Sequence, residues 1–145
     1  MPAALLLINA ACAVYLTGVI WVIQVVHYPL MGRVGPEAFA AYARSHVDRM
    51  GGVVGPVMIV EALTAMALLK IRPEIIPAEW AGTGMGLVGI IWMVTFTCSV
   101  PQHTVLMRGF DASAHNFLVS TNWIRTLAWS ARSGLAGWAL WKLIA

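Results

Sequence analysis

Charge is scarce in this sequence. Only 10% of its 145 residues are Asp, Glu, Lys or Arg, against about 25% in a soluble domain. The shortfall excludes an ordinary cytosolic enzyme, and it excludes a disordered chain, which stays unfolded through high charge and low hydrophobicity. It also excludes a basic nucleic-acid-binding domain, since Lys and Arg exceed Asp and Glu by a net charge of only +3. Cysteine is nearly as rare. Cys12 and Cys98 lie inside apolar runs with no CxxC or secreted-framework spacing, so both are expected to pack as small hydrophobes. GxSxG and P-loop signatures are absent, which leaves serine hydrolysis and P-loop nucleotide use unsupported. Internal repeats and low-complexity segments are absent too. Apolar residues fill the chain instead: 60% are hydrophobic, with 7 Trp, and mean hydropathy is +0.80. The sequence therefore reads as a multi-pass integral membrane protein whose first partner is the lipid bilayer, not nucleic acid. A pI near 9.2 then reports the basic loop residues of that topology rather than an acidic partner.

Crossing about 30 Å of hydrocarbon takes roughly 20 mostly apolar residues. Residues 3–26 meet that length, with only Asn9, Thr17 and Gln24 as hydrogen-bonding interruptions besides Tyr15 and Trp21. Without a basic leader region or cleavage site they read as a retained helix rather than a signal peptide. The span ends at His27-Tyr28-Pro29, where Pro disfavours helix in the residue before it. Gly35-Pro36-Glu37 has the chemistry of a helix start. Phe39, Tyr42, His46 and Arg49 follow at helical spacing, so a short helix at the membrane interface is expected between spans 1 and 2. Span 2 is expected over 52–69 and span 3 over 80–100, rich in Gly that permits close helix approach. Asp111-Ala112-Ser113 is an N-cap signature opening a fourth helix over 112–144. The fold class is all-α, an integral membrane four-helix bundle forming one domain over 1–145, with both termini on one side. Arg33, Arg44, Arg49 and Arg108 on one face oppose Lys70, Arg72 and Lys142 on the other. This is no bias under the positive-inside rule, and the expectation taken is cytoplasmic termini.

The polar residues are placed asymmetrically. His27, His46, His103 and His115 are all four His of the chain, and the expected topology puts all of them at one membrane face. Below them come Glu61 on span 2 and Arg125 on helix 4, each about ten residues or roughly 15 Å into its helix. Because a charge alone in hydrocarbon is costly, Glu61 and Arg125 are expected to pair. His115, Asn122, Arg125, Trp129 and Arg132 form one stripe on helix 4, and Thr17, Gln24 and His27 another on span 1. The candidate catalytic residues are His27, His46, His103, Glu61 and Arg125. Gln24, Arg49 and Asn122 are candidates for holding a cofactor or ligand, and His115 is expected near the headgroups, outside the site. Taken singly, each has a structural alternative: Gln24 as an interhelical hydrogen bond, the His as wetted caps, Arg132 as a snorkelling or carbonyl-bonded side chain.

Three chemistries fit this set. His27, His46 and His103 could ligate a transition metal, as bundle cores do, although ExxH and HxxxH are missing. His27 and His103 could be axial haem ligands, with Arg49 or Arg125 on the propionates; CxxCH is absent, which excludes covalent attachment. His and Glu could serve without metal as acid and base around an aromatic or quinone-like molecule, with Arg holding a developing anion. Pro101-Gln102, a spacer with Gly109 and Asp111, and Asn122-Trp123-Ile124-Arg125-Thr126-Leu127-Ala128 together resemble the anthrone oxygenase-like family of small four-helix membrane proteins, over about a quarter of the chain. There Gln102 stands where that family tends to have Asn, and Trp123 where it tends to have His. The resemblance implies a four-span bundle, a polar intramembrane site and oxygenation of a polycyclic aromatic. Two classes of function follow: an oxidoreductase acting on a hydrophobic small molecule, or a non-catalytic protein. The second would be an accessory subunit among other membrane subunits, or a carrier of haem, pigment or lipid.

Overall fold

A computed structural model of the chain describes residues 2–145. Among them there are four long helices and no strand: α1 (Pro2–Met31), α2 (Pro36–Leu68), α3 (Ala78–Leu106) and α4 (Ala112–Ile144). The first three are long and apolar enough to cross a membrane, which makes a lipid bilayer the environment their surfaces suit. α4 packs most extensively on α1 and α3, α1 packs on α2, and the α2–α3 seam is the slightest of the four.

α1 and α3 bend their hydrogen bonding in the same way. Over Ile23–His27 and Thr95–Ser99 the turns widen to π geometry, with Tyr28 N–H reaching Ile23 O and Val100 N–H reaching Thr95 O. Pro29 and Pro101 follow one residue later. A proline ring clashes with the carbonyl four residues back, and a wider turn relieves that clash without ending the helix. Span 1 therefore runs on past His27-Tyr28-Pro29 to Met31, instead of stopping there.

α2 begins as expected, with Gly35 as N-cap, Pro36 in the first turn and Glu37 beside it. The expected interfacial helix is not separate, however. Its residues are the opening turns of one 33-residue helix that carries Pro56 in its interior. Gly51, Gly52 and Gly55 cost about 1 kcal/mol each relative to Ala. In an apolar setting, though, the backbone has no better partner than its own helix.

α4 is capped by Asp111, whose carboxylate accepts from Ala114 N–H at 2.7 Å. It falls outside the set apolar enough to span, because its polar residues are many. They point inward: His115, Asn122, Arg125, Thr126 and Arg132 are all buried, while Phe117, Ile124, Leu127 and Trp141 are exposed. That inverts a water-soluble helix.

The two hairpins, α1–α2 and α3–α4, repeat one plan: a helix with a π turn before a late proline, a short turn, then a 33-residue helix. His46-Val47-Asp48-Arg49 and Asn122-Trp123-Ile124-Arg125 occupy equivalent turns. No repeat was expected from the sequence, because so few positions match.

Candidate functional site

Two polar layers lie along α4. The deeper one draws on all four helices. Glu61 Oε1 accepts from Arg132 Nε at 2.9 Å and Oε2 accepts from Trp129 Nε1 at 3.0 Å. Arg132 also donates from Nη1 to Gly84 O and from Nη2 to Asn9 Oδ1, both at 3.0 Å. Asn9 Nδ2 returns to Glu61 O at 3.0 Å and Thr64 Oγ1 at 2.8 Å. Gly84 is required at its position, since a Cβ there would lie 2.9 Å from Arg132 Nη1. Arg132 and Glu61 are 4% and 1% exposed and form the single ion pair among the described residues. Every nitrogen of the guanidinium and both carboxylate oxygens are bonded within the protein. This layer ties the four helices together, and neither Glu61 nor Arg132 lines either of the two cavities nearer the His residues.

The expected Glu61–Arg125 pair is therefore corrected: the partner is Arg132, about two turns further along the same stripe. A span beginning at residue 52 puts Glu61 and Arg125 at similar depth. α2 begins at Pro36, and what meets Glu61 is set by how whole helices register, not by distance from a span end.

The second layer sits above Trp129. Gln24 Nε2 donates to Val119 O at 3.2 Å, and Asn122 Nδ2 donates to Gln24 Oε1 at 2.7 Å. Arg125 Nη1 donates to Asn122 Oδ1 at 3.3 Å and Ser99 Oγ at 3.1 Å. Its guanidinium stands 5.2 Å over the Trp129 ring, a favourable cation–π placement. Arg125 Nε is buried without a hydrogen-bond partner. Trp129 is thus the partition between layers, its Nε1 bonded downward to Glu61 and its ring beneath Arg125.

Beside Arg125 lies a cavity of about 350 Å³. One wall is polar: Tyr28, His46, Ser99, His103 and Arg125. Elsewhere it is apolar, lined among others by Ile20, Met58, Trp92 and Trp129. Both π turns contribute, through Ile23 and through Thr95, Phe96 and Ser99. At the α2–α3 seam the wall is Gly51, Gly55, Phe96 and Val100. Of these, Phe96 and Val100 are exposed, so the cavity borders the outer, lipid-compatible surface there.

The three expected His converge. The His27 and His46 rings stack with centroids 4.3 Å apart, and His46 and His103 are 5.2 Å apart. Tyr42 Oη lies 3.4 Å from His27 Nδ1, and Tyr28 Oη lies 3.4 Å from His103 Nε2. A second pocket outside them is lined by His27, Tyr42, Ser45, His46, Arg49 and Met50, so His46 borders both spaces. For a metal, three ring nitrogens must aim at one point. Stacked rings, 16° from parallel for His27 and His46, do not do this, and among the described residues no group of three His, Cys, Asp or Glu has metal-holding geometry.

The remaining expected residues separate. Glu61 borders neither pocket. Gln24 and Asn122 brace Arg125 from behind instead of lining the cavity. Arg49 lines the outer pocket and donates from Nε to Ser45 Oγ at 3.2 Å. Thr17, expected below His27 as a ligand contact, instead bonds α4 at Trp129 O, 2.8 Å, and Ser133 Oγ, 2.7 Å. His115 is apart from the trio as expected, and its side chain is buried against α1. Its Nε2 lies 3.0 Å from Tyr28 O, and Gly32 leaves room for its ring, since a Cβ there would come within 3.2 Å of Cε1. Ser99, Tyr28 and Trp129 were missed as site residues. Placing Tyr28 beside His27 and Trp129 on the Arg125 stripe were the available signals. Compared with known proteins, the chain matches no family model, no curated protein and no solved structure.

Proposed function

We propose that the chain is an integral membrane protein of four spans, α4 included, whose inner cavity binds a flat, hydrophobic, aromatic or quinone-like molecule. A 33-residue α4 is about 50 Å long, more than the hydrocarbon requires, and its charges are covered by the other helices while Ile124 and Leu127 face outward. The observation that carries the function is the cavity: about 350 Å³, apolar on most sides, with Tyr28, His46, Ser99, His103 and Arg125 on one wall. Few convergent polar groups in an apolar hollow is the usual form of a small-molecule site. His46 and His103 are the acid–base groups that wall offers. The activity proposed is that of an oxidoreductase on such a molecule, in agreement with the resemblance to the anthrone oxygenase-like family.

Titrating the detergent-purified chain with the neutral quinone menadione tests the binding step. Trp92 and Trp129 line the cavity, so saturable quenching of Trp fluorescence is expected, weakened at least about tenfold by Met58→Trp, which fills the hollow. Quenching that never saturates, or that Met58→Trp leaves unchanged, overturns the reading.

A further inference from the structure

Arg125 is a buried cation with no anion. It is 7% exposed, and among the described residues no carboxylate lies within ion-pair distance of it, the single ion pair being Glu61–Arg132. The cavity it borders has no Asp or Glu in its lining. Its hydrogen bonds are two, both from Nη1 and both to neutral oxygens, while Nε has none. Arg132, on the same helix, shows what this protein does with a guanidinium that serves structure alone: every nitrogen is bonded and a carboxylate is adjacent.

We propose that Arg125 is the recognition point for a carboxylate carried by the hydrophobic ligand, so that the cavity selects aromatic acids over their neutral analogues. The inference rests on the aromatic-binding reading above and names the charge of its ligand. A guanidinium presents paired N–H groups that fit a carboxylate two-pronged, and Arg125 retains donors for it. Ser99 accepts from Arg125 Nη1 and keeps its own hydroxyl hydrogen to donate. Gln24 and Asn122 hold the guanidinium from behind, which fixes its direction before a ligand arrives. In a space this apolar, opposite charges attract far more strongly than in water. An anionic ligand would also supply the counter-charge whose absence makes Arg125 costly to bury.

The test compares 2-naphthoate with 2-naphthamide, matched in shape and differing in charge, by Trp quenching of the full chain in an uncharged detergent. The acid is expected to bind at least about tenfold more tightly. Arg125→Met should bring that ratio close to one. If Arg125→Met does not fold, Arg125→Lys keeps the charge and removes the fork, and should lower the ratio several-fold. Equal binding of acid and amide in the unaltered chain, or a ratio that survives replacement of Arg125, overturns the inference while leaving the aromatic site standing. If neither naphthalene probe nor menadione binds, both fall together.

Discussion

Two arginines about two turns apart on α4 live in opposite circumstances. Arg132 meets a carboxylate, a carbonyl and an amide from α2, α3 and α1. Arg125 meets a hydroxyl, an amide and the face of an indole, beside a largely apolar cavity. Both are buried, and both lie on the inward stripe of one helix, so residue type and position do not separate them. Completeness of bonding does. A buried ion whose partners are all present holds helices in register. One whose partners are incomplete beside a cavity is placed to bind something else.

The comparison is broken most severely at Glu61. Glu61→Leu strands Arg132 in the core, and removing one member of a buried pair typically costs about 3–5 kcal/mol. The Glu61→Leu/Arg132→Leu double variant should lose clearly less, since no charge is left without its partner. Thermal or denaturant unfolding in detergent measures both. Equal losses would mean that the pair contributes no coupling and the deep layer is not a unit.

A smaller effect is expected at Gly84. The Gly84→Ala methyl would displace Arg132 Nη1 from a 2.9 Å approach and weaken its bond to Gly84 O, at a cost of about 1–3 kcal/mol. Gly89, one turn and a little along α3, has open space around an added Cβ. Gly89→Ala should therefore be neutral or gain up to about 1 kcal/mol from helix propensity. Unfolding midpoints of the two variants in one detergent make the contrast. The same loss at both positions would show a general intolerance of α3 rather than a fitted guanidinium.

Much of this was legible beforehand, and the limits are instructive. The helical class, the first three apolar helices, the Asp111 cap and the meeting of His27, His46 and His103 follow from periodicity and from which helix ends share a face. The join of the polar stretch after Gly35 to span 2 was not legible. Gly51, Gly52 and Pro56 look like punctuation in isolation, and only an apolar setting that offers the backbone no alternative keeps them helical. The partner of Glu61 was not legible either. The α4 stripe offers Arg125 and Arg132 on one face, and choosing between them needs the axial register of two packed helices, which no single-helix pattern encodes. The π turns were hidden for a related reason. Pro29 and Pro101 announce a disturbance, but whether a helix ends there or widens and continues depends on what packs beyond it.

The central claim is that Arg132 holds the fold and Arg125 holds the ligand. Its most direct test is the unfolding free energy of Arg132→Met beside that of Arg125→Met, in the same detergent and without ligand. The account predicts a loss of about 3–5 kcal/mol for Arg132→Met, because Glu61 is left buried and unpaired. For Arg125→Met it predicts a change within about 1 kcal/mol, because a desolvated cation leaves together with its few neutral bonds. Equal losses, or the larger loss at Arg125, would contradict it.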